Sequence, residues 1–122
     1  MRRLPLMIAA AALFALAGTA NAHPKLLSAS PAANATVTKP ARIVLHFSER
    51  LMPAFSKADL TMTAMPGMAA MKMPSTAKLA ADGKTLVVTP AGSLHTGRYT
   101  VAWHVVSTDT HKVAGNYAFA VK

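Results

Sequence analysis

The chain has 122 residues, enough for one domain, and 52% of them are hydrophobic, so a packed core is within reach. Thirteen Lys and Arg stand against four Asp and Glu, and there is no cysteine. The missing thiols exclude disulfide staples and thiolate chemistry. The basic residues form no run interleaved with aromatics, which argues against a nucleic-acid binder.

Residues 1–22 read as a leader. Arg2 and Arg3 make a positive head, residues 4–18 are apolar but too few for a comfortable membrane span, and Ala20-Asn21-Ala22 is a small-residue cleavage site. This predicts a secretory signal peptide over 1–22 and a mature domain over 23–122, exported to a bacterial periplasm. No later run is apolar enough to insert stably in a membrane. The leader takes two of the thirteen basic residues and none of the acids, so the mature surface stays basic. Such a surface suits solvation or an acidic partner. It opposes metal cations slightly, over a screening distance of roughly 8 Å.

In chain order, Leu26 and Leu27 can enter a first strand, and Ser30-Pro31-Ala32-Ala33-Asn34 reads as a turn. Residues 42–48 alternate, with Ile43, Leu45 and Phe47 on one face and Val44, His46 and Ser48 on the other. Ala58, Leu60 and Met62 alternate with Asp59 and Thr61. Asp82-Gly83 between residues 77–81 and 84–89 is a hairpin signal. Residues 98–106 form the longest strand candidate, with Tyr99, Val101, Trp103 and Val105 on one face and Trp103 as core anchor. Residues 107–112 read as a polar loop, and residues 115–121 as a closing strand with Tyr117, Phe119 and Val121 inward. The pattern predicts an all-β fold, an antiparallel Greek-key β-sandwich of about seven strands.

Two groups of residues carry chemistry. Five of eight methionines, Met62, Met65, Met68, Met71 and Met73, fall within twelve residues. Pro66, Gly67 and Pro74 break any helix there, so the stretch reads as a loop with partly buried thioethers. Thioether sulfur is a soft donor that selects Cu(I); gap-filling or a sticky contact is the plain alternative. The second group is His23, Asp109 and His111. As first residue of the mature chain, His23 offers an α-amine and an imidazole. Asp109 and His111 are two apart and, in extended backbone, point the same way. Three nitrogens and an oxygen form a tetragonal set suited to Cu(II). Pro24 has no amide hydrogen, so the remaining ligands must come from elsewhere in the fold. The plain alternatives are an accidental terminal His and a turn-capping Asp. His46 reads as a surface residue or one supporting the ligands, His95 as a turn residue and His104 as exposed.

Four motifs then fall in order: His23-Pro24-Lys25-Leu26, Leu45-His46-Phe47-Ser48-Glu49, Met62-Thr63-Ala64-Met65-Pro66-Gly67-Met68 and Ser107-Thr108-Asp109-Thr110-His111. With them the mature chain resembles the CopC family of periplasmic copper-resistance proteins. The resemblance implies a Greek-key β-barrel or sandwich, in the cupredoxin- and immunoglobulin-like group, that binds copper rather than catalysing a reaction. It implies a Cu(II) site at His23, Asp109 and His111. It implies a Cu(I) site at Met62, Met65, Met68 and Met73, with Met71 as a further thioether. It implies an inner-membrane copper transporter and a periplasmic multicopper oxidase as partners. Where such proteins can place a His late in the Met stretch, this chain has Ala69-Ala70-Met71, which leaves an all-thioether set. Two other readings of the residues stay open: a copper-dependent oxidative enzyme built on an amino-terminal His brace, and a structural or adhesion sandwich that binds no metal.

Overall fold

In the computed structural model, residues 23–63 and 67–122 are described. The expected leader over 1–22, and Met65 with its neighbours Ala64 and Pro66, lie outside the described residues. The strands are β1 (Leu26–Ser30), β2 (Thr36–Val37), β3 (Ile43–Phe47), β4 (Lys57–Met62), β5 (Met71–Met73), β6 (Ser75–Leu79), β7 (Thr85–Pro90), β8 (Gly97–Val106) and β9 (Lys112–Val121). They form a four-stranded sheet, β1-β3-β7-β6, and a five-stranded sheet, β2-β9-β8-β4-β5.

The architecture is the expected β-sandwich, and every expected strand is present. Two short strands raise the count to nine among the described residues. β2 is two residues long and runs parallel to β9, too short to show a period. β5 lies within the Met stretch, where Leu60↔Met73 and Met62↔Met71 pair across to β4. That part of the stretch is a strand, not the loop expected from its Pro and Gly residues. Met71–Met73 is extended, and its backbone is paired along one edge.

The core lies between the sheets because each strand alternates in and out. Ile43, Leu45, Phe47, Leu86 and Val88 come from one sheet, and Leu60, Tyr99, Val101, Val105, Phe119 and Val121 from the other, all at most 3% exposed. Trp103 packs edge-on to Phe47 with ring centroids 6.1 Å apart. Gly115 stands directly across from Trp103 in the β8–β9 register. A Cβ there would come within 2.6 Å of the indole Cζ2, so the indole requires a residue without a side chain opposite it. The Asp82 turn joins β6 to β7 as its sequence suggests. Asp82 Oδ1 accepts from the Lys84 and Thr85 amides at 2.8 and 3.0 Å, and the Thr85 hydroxyl donates to Oδ2 at 2.8 Å.

Candidate metal centre

The first group is assembled from two distant parts of the chain. β1 pairs antiparallel with β3, so the residues before Leu26 emerge at the carboxyl end of β3. There the Lys25 amide donates to Ser48 Oγ at 2.9 Å, and the Ser48 amide donates to the Lys25 carbonyl at 2.9 Å. Pro24 is fully buried. The backbone is thus fixed from Pro24 onward, and exposed His23 projects from a fixed point.

Asp109 and His111 come from the turn that joins β8 to β9. The Ser107 amide donates to the His111 carbonyl at 2.9 Å, the Thr110 amide to the Ser107 carbonyl at 2.8 Å, and the Thr108 amide to the Arg50 carbonyl at 2.9 Å. Thr110 has φ +74°. Asp109 and His111 therefore converge, but not by the extended-strand geometry expected of residues two apart. A tight turn with one left-handed residue brings them together. Ser107, only 1% exposed, is the support that sequence reasoning missed. Its hydroxyl donates to Asp109 Oδ1 and accepts from the His111 amide at 3.2 Å. A Ser or Thr hydroxyl bonding a few residues onward in a turn is the signal that could have found it.

His111 Nδ1 lies 3.0 Å from Asp109 Oδ1. The atom is buried, yet the pair lacks the alignment of a hydrogen bond, leaving that nitrogen without one. Two donors each about 2.0 Å from one ion and at right angles are about 2.8 Å apart, so the two atoms are close enough to reach one ion together. The Ser107 hydroxyl, then the His111 ring, hold the Asp109 carboxyl below the usual carboxylate range, so it is ionised at neutral pH. The His23 ring meets His111 edge-on, with centroids 4.6 Å apart. All three side chains are thus brought together. Among the described residues, however, no three His, Asp or Glu groups already enclose an ion. A close Asp109–His111 pair is present, and the exposed His23 ring lies edge-on against His111.

The methionines gather elsewhere. Met62 pairs with Met71 on one side and Tyr99 on the other, and Leu60 pairs with Met73, so Met62, Met71 and Met73 share the inner face of β4 and β5. Met62 and Met73 pack partly into the core. Met68 and Met71 are 54% and 55% exposed. Met62 is level with Tyr99 near the start of β8, whereas the histidine turn follows Val106 at its end. Seven residues of strand put the two groups about 23 Å apart.

The remaining histidines lie outside both groups. His46 Nδ1 is 2.9 Å from Thr85 Oγ1. Since that hydroxyl donates its hydrogen to Asp82, His46 is the donor, and it serves the hairpin turn. His95 contributes its carbonyl to the Tyr99 hydroxyl at 2.7 Å, and both His95 and His104 are exposed.

Fold and donors together define a class: an all-β sandwich with an imidazole–carboxylate cluster at one end and a thioether-rich sheet edge at the other. Residues 26–122 match the CopC domain model. The chain is 55% identical over 106 residues to copper resistance protein C of Xanthomonas campestris pv. juglandis, covering 85% of this chain and 84% of that one. It is 50% identical over 105 residues to copper resistance protein C of Pseudomonas syringae pv. tomato, covering 84% and 83%. The crystal structure of PcoC, a methionine-rich copper resistance protein from Escherichia coli, superposes with a TM-score of 0.77 at 44% identity, covering 83% of this chain and all of that one. The chain belongs to the CopC family.

Proposed function

We propose that this protein is a copper-binding protein of copper resistance, exported to the periplasm on the leader over 1–22, that holds and hands over copper without catalysing a reaction. Cu(II) is held by His23, through its freed α-amine and ring, with Asp109 and His111. Cu(I) is held by thioethers from Met62, Met65, Met68, Met71 and Met73. The observation that carries the reading is the meeting of His23 with the Asp109–His111 pair at one end of the sandwich, although His23 stands 86 and 88 positions before them in the chain. The names of the relatives point to copper, and the donor chemistry divides it by oxidation state: nitrogen and oxygen for Cu(II), thioether for Cu(I). Partly exposed Met68 and Met71 suit release, since a partner can replace one sulfur at a time. An inner-membrane copper transporter and a periplasmic multicopper oxidase are the partners this role calls for.

The test is Cu(II) titration of protein beginning at His23 beside protein carrying one extra residue before it. The extension turns the α-amine into an amide. It should weaken Cu(II) binding at least tenfold and leave Cu(I) binding unchanged. Equal Cu(II) affinity in both forms would contradict the assignment.

A further inference from the structure

Beside the histidine turn, the outer face of the five-stranded sheet carries an apolar groove with a basic border. Its volume is about 390 Å³, and Phe55, His104, Val106, Lys112, Val113 and Ala114 line it. Phe55 is 57% exposed, unusual for an aromatic among the described residues, where Phe47 and Phe119 are buried. Phe55 ends the one-turn 3₁₀ helix Pro53–Phe55, whose position is fixed. The Met52 amide donates to the Val106 carbonyl at 2.8 Å, and Ser56 Oγ accepts from the Val106 amide at 3.2 Å. The ring is therefore held out on a clamped turn and not merely left over on a loose loop. Lys57 stands across from His104 in the β4–β8 register, and Lys112 borders the groove directly after His111. No acidic side chain is among the described residues lining it. On the same sheet face, Asp59 is taken up by Lys72, 3.2 Å away.

We propose that this groove docks an acidic partner protein, which places one apolar side chain against Phe55 and its carboxylates against Lys57 and Lys112. Charge complementarity names the partner's sign, and an aromatic anchor with a polar rim is the usual make-up of an interface hot spot. Among the described residues lining the groove, Phe55 is the one exposed large apolar side chain, a make-up that fits a protein surface better than a lipid surface, which calls for a broad apolar face. The small patch suits a short-lived complex, as hand-over needs. Val106 and Lys112 flank the turn that holds Asp109 and His111, so a docked partner stands next to those residues. That purpose rests on the copper-transfer reading, but the contact can be measured without metal.

The experiment records amide NMR spectra of metal-free protein beginning at His23 during titration with an acidic peptide bearing one central Leu. Controls are the same peptide with Ala for Leu, and anionic phosphatidylglycerol vesicles. The expected result is shifts confined to Phe55, His104, Lys112 and their neighbours, weakened about tenfold by Phe55→Ser and by the Ala peptide. Phe55 is exposed, so the variant keeps the fold, which its own spectrum verifies. Shifts scattered over all lysines, or unchanged by Phe55→Ser, would overturn the proposal. A response to vesicles but not to peptide would overturn it in favour of a lipid surface. Loss of docking with intact copper titration leaves the metal assignment standing, and the reverse result separates the two the other way.

Discussion

At the scale of single residues, Ser107 does more for the candidate centre than either of its polar neighbours in the turn. One buried hydroxyl orients the Asp109 carboxylate and accepts the His111 amide. Ser107→Ala removes both bonds and leaves a half-buried amide without a partner, a loss of about 1 kcal/mol in chemical denaturation. Cu(II) affinity should fall with it, although no proposed ligand is touched. Asp82 gives a contrasting case. The Lys84 amide first, then the Thr85 hydroxyl, hold its carboxyl below the usual value of 3.8. A group whose folded pKa is lowered stabilises the fold above its unfolded pKa and loses that contribution as pH falls through the folded one. Asp82→Asn should therefore lower the thermal midpoint at pH 6 and narrow its difference from the parent below about pH 4. A constant difference across that range would show that Asp82 ionisation contributes nothing.

At the scale of elements, the β8–β9 hairpin carries both the core and the histidine turn. Gly115→Ala forces the Trp103 indole to move and should cost about 1–3 kcal/mol, read by denaturant titration. Tyr117, on β9, donates its hydroxyl to the Pro31 carbonyl at 2.7 Å, and burial pushes its pKa up to about 12. Its neutral form is the stabilising one. The contribution is complete below pH 10 and is lost as pH rises from 10 to 12. Tyr117→Phe should cost about 1 kcal/mol at pH 7 and flatten that alkaline decline. In β4, β5 and the segment between them, the two exposed thioethers, Met68 and Met71, can be separated from the two packed ones, Met62 and Met73. Met68→Leu with Met71→Leu should weaken Cu(I) binding at least tenfold against a competing chelator while stability stays within about 0.5 kcal/mol. How far these elements were legible in the chain followed their burial. Ile43-Val44-Leu45-His46-Phe47 announces its strand because alternate residues face core and solvent. Met71-Lys72-Met73 does not, because Met carries little β preference and Pro66, Gly67 and Pro74 surround it. Asp109 and His111 were legible as partners, but the left-handed Thr110 that joins them was not, since Thr rarely adopts that conformation.

At the scale of the whole molecule, the fold joins residues that local pattern cannot relate. The contact of His23 with His111 depends on β1 pairing with β3, on burial of Pro24 and on the Ser48 clip, three long-range facts without local signature. β8 then holds the two donor groups about 23 Å apart. One ion cannot touch two groups so far apart at once, so we infer that copper moving from the thioethers to the histidine end passes between molecules. Admitting dioxygen as electron acceptor to protein loaded only with Cu(I) should then oxidise the ion to Cu(II), with dioxygen reduced, and move it to the histidine end at a rate that rises with protein concentration. A rate independent of concentration would contradict direct transfer between molecules.

The most direct measurement is electron paramagnetic resonance of Cu(II) bound to protein beginning at His23, compared with His111→Gln and Asp109→Asn. The account predicts nitrogen couplings from two imidazoles in the parent and one fewer in His111→Gln. It predicts altered copper parameters without nitrogen loss in Asp109→Asn. A parent spectrum that neither substitution changes would contradict it.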